Sequence, residues 1–272
     1  MACSIASAEA ALRSGDLQTA SNCLAQLPNS AKRSYLQGGL MSLSGNEREA
    51  IPLFQQAVRT APKHADAYFE LGNALLGQRD HPQAERAFLA ALAIEPRRTL
   101  CYLNLGNLYS DRGDVKRAEL SFRKALKLGP SGWDQCASSN GLSNLLESQS
   151  REAEAASVSA TALAKGSRGG GDCLYAAHNL ARVLRRRGQH AEALVLARRA
   201  LAGAPSQHEF RTGLGAALHS AAQYLEAASV YRQVLSVNPA DHLLHFDLAN
   251  ALHSAGRAAE SVDAYAAALP LQ

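Results

Sequence analysis

The sequence has few aromatic residues and no long apolar run. One of its 272 residues is tryptophan and aromatic side chains make up 6% of the chain, although apolar residues, with alanine the commonest, reach 47%. A single thick core needs large side chains, so this composition favours many thin contacts between helices. Because no stretch approaches about 18 consecutive apolar residues, the sequence excludes a membrane-spanning helix.

An excess of one charge sign is also missing. Residues 1–132 hold 16 basic and 12 acidic residues, and residues 133–272 hold 12 of each, so neither half is a polybasic arm. Nucleic acid is therefore not expected as a partner. The N-terminus has no basic segment followed by an apolar core, which argues against a secretory signal, and no membrane association is predicted.

Cysteine is scarce, and its spacing suggests no pairing. The five cysteines are Cys3, Cys23, Cys101, Cys136 and Cys173, an odd number without a C-x-x-C pair. That spacing indicates neither a disulfide framework nor a zinc knuckle. Reduced cysteines are typical of the cytosol, so the sequence predicts a cytoplasmic protein.

No constellation of residues indicates catalysis. The nine histidines are scattered, and the glycine-rich stretch 166–171 lacks the Lys-Ser/Thr pair of a phosphate-binding loop. The sequence therefore predicts a protein that is not an enzyme, with no catalytic residue, no metal site and no cofactor.

What the sequence does contain is a repeated pattern, clearest in residues 99–132. Four residues at i, i+3, i+4 and i+7 share one face of a first helix, namely Tyr102, Leu105, Gly106 and Tyr109. Gly113 ends that helix, and a second helix presents Ala118, Phe122 and Ala125 before Pro130 ends it. The stretch predicts a helical hairpin whose apolar face must be buried against a neighbouring hairpin.

The same pattern recurs, and two levels within it stay small. Counted from the first residue of each repeat, position 8 reads Gly38, Gly72, Gly106, Ala181, Gly215 and Ala249, and position 20 reads Ala50, Ala84, Ala118, Ala193, Ala227 and Ser261. A larger side chain at either level would overpack a tight hairpin, at about 1–3 kcal/mol per site. In one repeat Arg79 replaces the helix-ending glycine, and Asp80 with Pro82 is expected to start the second helix.

This residue pattern resembles the tetratricopeptide repeat (TPR), whose signature over about 34 residues is W-x2-L-G-x2-Y, then A-x3-F, then P. Tyr102 stands in the place of the tryptophan. The resemblance implies an all-α, right-handed solenoid (superhelix) of about eight hairpins. The predicted repeats are 1–30, 31–64, 65–98, 99–132, a degenerate 133–173 with a glycine-rich linker, 174–207, 208–241 and 242–272.

The degenerate repeat leaves its register open. One alignment puts Gly141 at position 8 and another puts Leu142 at position 7. A second helix is expected to use Ala153, Ala156, Ala160 and Leu163. Residues 166–172 have the composition of a flexible linker.

Family geometry places positions 2, 5, 6, 9, 12 and 13 of each repeat on a concave wall, and these are called the inner-wall positions below. The resemblance therefore implies a groove that binds a peptide. The predicted groove residues are Tyr35, Phe69, Glu70, Asn73, Asn104, Asn107, Asp111, His178, Asn179, Arg182, Arg185, Arg186, Phe246, Asp247 and Asn250.

Two features of this lining indicate what it would bind. An Asn amide both donates to and accepts from a peptide backbone; Asn104 and Asn179 match the sixth-position Asn of O-linked N-acetylglucosamine transferase superhelices, whereas Glu70, Gly213 and Asp247 do not. The arginines at 182, 185 and 186 favour an acidic partner nearby. The carboxylate clamp for chaperone tails is not expected, because Phe69 stands where it needs lysine.

The sequence thus predicts a non-catalytic scaffold for protein–protein interaction that holds a peptide or partner segment in its groove. The alternative is the N-terminal, substrate-recruiting arm of a larger enzyme of glycosyltransferase or sulfotransferase type. That alternative follows from residues 242–272, which include no polar capping helix. The same uncapped repeat predicts possible self-association.

Overall fold

The structure, a computed structural model, describes residues 3–129, 132–169 and 173–269, with only the backbone described for 167–169. Within these residues it forms sixteen helices: α1 (Ile5–Ser14), α2 (Leu17–Gln26), α3 (Ala31–Leu43), α4 (Glu47–Thr60), α5 (Ala65–Gly77), α6 (His81–Ile94), α7 (Thr99–Asp111), α8 (Val115–Lys127), α9 (Gly132–Ser148), α10 (Glu152–Gly169), α11 (Leu174–Arg186), α12 (His190–Gly203), α13 (His208–Ser220), α14 (Tyr224–Leu235), α15 (His242–Ser254) and α16 (Ala258–Ala268).

Consecutive helices pair as antiparallel hairpins, and each hairpin packs on the next within its part of the chain. The predicted all-α fold of about eight hairpins is confirmed. Contacts divide the chain into two compact blocks, an N-terminal block (Met1–Leu128) and a C-terminal block (Gly129–Gln272). None of the helices in the described part of the chain combines the length and apolar character that crossing a membrane requires.

The turn inside each hairpin contains one left-handed residue, and an aspartate caps the helix that follows in α2, α6 and α8. Gly113 has φ 72° and is followed by Asp114, whose Oδ1 accepts from the Arg117 N–H at 3.2 Å. Arg79 takes the same left-handed conformation at φ 58°. Asp80 then caps α6 by accepting from the Gln83 N–H, with Pro82 in the first turn, which confirms that prediction.

The small residue at position 8 lies under an aromatic ring from the second helix. A Cβ added to Gly106 would lie 2.6 Å from the Phe122 ring, and the same clash separates Gly38 from Phe54 and Gly72 from Phe88. The three rings are at most 1% exposed. The level stays small because a ring, rather than the partner backbone, fills the space above it.

The degenerate repeat follows the alignment with Leu142 at position 7. Ser150 has φ 58°, so it is the left-handed residue that the other repeats carry at position 15. Ser143 then falls at position 8 and Ser159 opposite it, and their hydroxyls are 2.8 Å apart. A buried hydrogen bond between two serines thus replaces the glycine and the ring.

The second helix of this repeat buries a face that only partly matches the prediction, since Ala156 is 8% exposed and Leu163 is partly buried. Ala153 and Ala160 are exposed, whereas Ala155, Ser159 and Ala162 are buried. The shift follows from the register, because the four predicted residues mixed the two alignments. Helix α10 also runs through Gly169, over the first part of the predicted linker, while 170–172 lie outside the described residues.

The expectation of unpaired cysteines is wrong. Cys136 on α9 and Cys173, the N-cap residue of α11, form a disulfide. Stacked repeats place residues about one repeat apart next to each other. Cys136 and Cys173 are therefore close in space although 37 residues separate them in the sequence. The cytoplasmic prediction rested on reduced cysteines, and this bridge removes that ground.

Candidate functional site

A cavity of about 500 Å³ in the N-terminal block lies along α1, α3 and α5. Each of its lining residues occupies an inner-wall position of its repeat. They are Glu9, Leu12, Arg13, Lys32, Tyr35, Leu36, Gly39, Ser42, Leu43, Asp66 and Glu70. Pockets of this volume suit one or two side chains of a bound segment.

The cavity combines apolar and charged side chains. Leu12, Leu36 and Gly39 supply apolar surface, and a Cβ added at Gly39 would meet no atom within 4 Å. Lys32 bonds Glu9 at 2.7 Å and lies over the Tyr35 ring. The cavity is therefore an open apolar depression with a satisfied ion pair on one side.

Glu70 is the acid of this cavity that lacks a cation. Among residues 3–129 no basic group lies within ion-pair distance of it, whereas its neighbour Asp66 bonds Arg98 at 2.7 Å. Burial raises the pKa of Glu70, whereas the hydrogen bond from Asn73 and the charge of Arg98, which forms no ion pair with it, lower the pKa by less. A half-buried carboxyl without a cation is a binding point for one supplied from outside.

The predicted asparagines of this block hydrogen-bond to each other. The Asn104 amide donates to Asn73 Oδ1 at 2.8 Å, and the Asn73 amide donates to Glu70 Oε2 at 3.2 Å. This ladder ties α5 to α7 and orients Glu70. Asn107 and Asp111 lie exposed on α7, while Phe69 is 7% exposed beneath the Arg98 guanidinium.

In the C-terminal block, Asn179 is buried rather than open. It is 1% exposed, and its amide donates to Asn140 Oδ1 at 2.8 Å and to Asn144 Oδ1 at 3.2 Å. This residue therefore joins α11 to α9. It resembles the Asn104 ladder, with partners from the degenerate repeat.

Two of the three predicted groove arginines are paired within the chain. Arg182 bonds Glu147 at 2.6 Å, and Arg186 bonds Glu147 at 3.4 Å and Glu152 at 3.0 Å. Arg185 has no such partner among the described residues. The positive charge available to an acidic ligand is thus much smaller than the sequence suggests.

Arg185 faces a small polar cavity of about 160 Å³ that also contains His219, Tyr231, Asp247 and Asn250. Burial raises the pKa of Asp247, against the opposing effects of His219 and Arg185. Asn250 Oδ1 accepts from the Tyr265 hydroxyl at 2.7 Å. Three predicted residues, Arg185, Asp247 and Asn250, therefore meet in one place.

His178 and Phe246 have different environments. The His178 ring is 4% exposed, stacks 5.3 Å from Phe210 and covers Gly213. Burial, followed by the charge of Arg182, lowers the pKa of His178 to about 4, so its 3.5 Å contact with Glu209 is not an ion pair at neutral pH. Phe246 is 50% exposed and contacts the edge of Tyr265.

Sequence reasoning missed several of these residues although a signal existed. Glu9, Leu12, Lys32, Leu36 and Gly39 are inner-wall residues of the first two repeats. The positional rule that found Tyr35 would have found them. Asn140, Asn144 and Glu147 were missed for another reason, since the register of their repeat was open.

Family models support the repeat assignment. One tetratricopeptide-repeat model matches residues 44–99 and 220–272, and two further models of the same repeat match 173–204 and 100–131. Comparison with curated protein sequences gives no significant match.

Solved structures share the fold. A chain of the APC/C hetero-tetramer Cut9–Hcn1 has 16% identity and a TM-score of 0.72 over 90% of this chain, which spans 48% of that chain. Pseudomonas aeruginosa PilF has 18% identity and a TM-score of 0.64, covering 76% of this chain and 93% of its own. YrrB, described as a TPR protein with an unusual peptide-binding site, has 20% identity and a TM-score of 0.53, covering 75% of this chain and 97% of its own.

Identities this low show the fold alone, and the family models add the repeat signature. The chain belongs to the tetratricopeptide-repeat family, a family of protein-interaction scaffolds.

Proposed function

We propose that this protein binds a segment of a partner protein at the N-terminal cavity, through the inner-wall residues of its first three repeats. The observation that carries the proposal is the cavity of about 500 Å³ whose lining comes entirely from inner-wall positions. Family membership supports protein binding in general, and the cavity supports this location for it.

The chemistry of the cavity favours a segment with an aliphatic side chain next to a basic one. The aliphatic group would cover Leu12, Leu36 and Gly39, and the basic group would pair with Glu70. Such a pair would replace the missing cation beside a half-buried carboxyl, where a charge-assisted bond is stronger than at an exposed site. The predicted acidic partner is less well supported, because Arg182 and Arg186 already pair with Glu147.

The test starts from short peptides selected from a random display library against the wild-type chain. Fluorescence anisotropy of a selected peptide would then compare three variants. Gly39→Leu fills open space in the cavity, so we expect at least a tenfold loss of affinity. Glu70→Gln keeps an acceptor for Asn73 and should weaken peptides that contain a basic residue about five- to tenfold, which corresponds to roughly 1 kcal/mol.

Asp111→Asn is the matched control, because Asp111 is an exposed inner-wall acid that does not line the cavity. It should leave affinity unchanged. Gly39→Leu should also unfold no earlier than wild type, since leucine favours a helix interior over glycine. Selected peptides that bind Gly39→Leu and wild type equally would remove the proposed site.

We infer a second candidate, self-association, from an apolar strip on α16. Position 21 of the repeat is 7% exposed at Leu194 and 1% at Ala228, where another hairpin covers it, but 64% exposed at Val262. Position 28 shows the same difference, since Leu235 is 7% exposed and Leu269 is 68% exposed. Val262 lies on α16 and Leu269 is the residue that directly follows this helix, so both exposed side chains belong to the last hairpin.

Size-exclusion chromatography with light scattering tests this candidate. If a second copy covers the strip, Val262→Asp should convert a dimer to a monomer, whereas Val195→Asp, at an equally exposed position, should not. A wild-type chain that is monomeric at high concentration would contradict self-association.

A further inference from the structure

The first hairpin holds two thiols in direct contact. Cys3 lies immediately before the N-cap residue Ser4 of α1, and Cys23 lies on α2. Their Sγ atoms are 2.7 Å apart. Cys23 is 7% exposed within the apolar cluster of Ala8, Ala20 and Leu24, while Cys3 is only partly buried.

That separation is close to a covalent one, since a disulfide joins two sulfurs at about 2.05 Å. From this contact the two sulfurs would have to approach each other by less than about 1 Å to form the bond. Forming the bond then requires an oxidant that takes up the two thiol hydrogens with their two electrons.

The other three cysteines make this assignment consistent. Cys136 and Cys173 are already bonded, so the chain tolerates oxidation of its thiols. Cys101 is 0% exposed, and burial raises its pKa to about 12, which leaves it as an unreactive thiol. The odd cysteine count then divides into two pairs and one inert residue.

We propose that Cys3 and Cys23 form a second disulfide, and that the native chain carries one bridge in each block. The oxidant is a small or protein disulfide, RS–SR. The Cys3 thiolate attacks it and releases RSH; the Cys23 sulfur then attacks Cys3 Sγ and releases the second RSH. Two S–H bonds and one external S–S bond become one internal S–S bond and two external thiols.

Cys3 is suited to the first step and Cys23 to the second. Cys3 is the more exposed of the two and can meet an external disulfide. The hydrogen bond with Cys3, together with burial, raises the pKa of Cys23, so Cys23 stays a thiol until its neighbour has reacted. The finished bridge would tie the segment before α1 to α2 across the turn at Gly15. It also implies that the chain works in an oxidising compartment, independently of the proposed peptide binding.

The experiment is thiol counting on the full chain, purified without reductant and incubated with oxidised glutathione. Alkylation under denaturing conditions should find one free thiol, Cys101, and the intact mass should lie about 4 Da below the fully reduced form. Trypsin without reduction should release residues 1–13 linked to 14–32, separate from 128–151 linked to 169–182.

Three variants make the result specific. Cys101→Ser should leave no free thiol, and Cys136→Ser should leave the 1–13 to 14–32 link intact. Cys3→Ser should leave two free thiols, Cys23 and Cys101, and should speed tryptic cleavage after Arg13 several-fold in buffer without reductant but not with it. Three free thiols in the wild-type chain, or a stable glutathione adduct on Cys3, would overturn the proposal.

Discussion

At the scale of single residues, the turn inside each hairpin depends on one backbone conformation that glycine adopts freely. Glycine supplies it at Gly45, Gly113, Gly188 and Gly256, but Ala222 takes the same conformation with φ 61°. A side chain there places Cβ near the carbonyl oxygen, at a cost of about 1–2 kcal/mol. Among the described turns, those at Arg79, Ser150 and Ala222 therefore retain local strain.

Exchanging these residues should move stability in opposite directions. We expect Ala222→Gly to raise the free energy of unfolding by about 0.5–1 kcal/mol, and Gly256→Ala to lower it by about 1 kcal/mol. A Cβ at Gly256 meets no atom within 4 Å, so its loss would come from the backbone alone. Urea denaturation measures both, and shifts of the same sign would contradict this account.

His178 should make stability depend on pH. Its pKa is about 4 in the folded chain, because burial and then Arg182 disfavour the charged form, against an ordinary value of 6.5. As the pH falls, the unfolded chain therefore takes up the proton first. The stability that neutral His178 contributes to the folded chain is complete above pH 6.5 and declines as the pH falls towards 4. The full loss is on the order of 3 kcal/mol.

His178→Phe is the matched variant, since it keeps a ring against Phe210 and removes the titrating group. Denaturation of the variant between pH 7 and pH 4.5 should show a shallower loss of stability than wild type. Parallel curves for the two proteins would exclude His178 as the cause.

At the scale of helices, each hairpin depends on a match between position 8 and the residue above it. Glycine faces an aromatic ring in four repeats, with Gly215 under Tyr231 as the fourth. In the hairpin of α11 and α12, Ala181 at position 8 falls opposite Ala197 on the second helix. In this hairpin alanine therefore replaces glycine on the first helix, and alanine replaces the aromatic residue on the second.

The effects of changing the two partners of this pair should not be additive. We expect Gly106→Ala to destabilise the chain by about 1–3 kcal/mol through overpacking, and Phe122→Ala by about 3–5 kcal/mol through a cavity. The double variant should lose less than the sum, because alanine at 106 partly fills the space that the ring leaves. Strict additivity in a double-mutant cycle would argue against contact between the two.

This pairing also explains how far the sequence could predict the helices. The small residues that recur at positions 8 and 20 indicated six hairpins, because each of these hairpins repeats them at a fixed spacing. Ser143 and Ser159 use the same geometry with a hydrogen bond, and serine at these positions has no periodic signal. The register of α9 and α10, and with it the partners of Asn179, therefore had to come from the structure.

Some features of the candidate site could be predicted from the repeat pattern, and others could not. The N-terminal cavity was predictable, since inner-wall positions are fixed by the repeat. The pairing of Arg182 with Glu147 and the bond between Cys136 and Cys173 were not, because each joins residues of different hairpins. Contacts of that kind depend on how two repeats stack, which spacing within one repeat does not record.

At the scale of the whole molecule, the bridge in the C-terminal block should act locally. In a chain-entropy account, closing a loop of 37 residues stabilises by about 3–4 kcal/mol. Repeat arrays pass stability mainly between neighbours. We expect Cys136→Ser to raise hydrogen exchange in α9–α11 and to leave α3–α6 unchanged, as measured by mass spectrometry of peptides. Equal acceleration in both blocks would contradict a local effect.

The disulfide between Cys136 and Cys173 also changes the result of backbone cleavage between these two residues. Lys165 is exposed and lies between Cys136 and Cys173 in sequence. A protease that hydrolysed the chain there would create two polypeptides that still travel as one molecule. Cleavage at this point would therefore give a two-chain form whose fragments separate only after the disulfide is reduced.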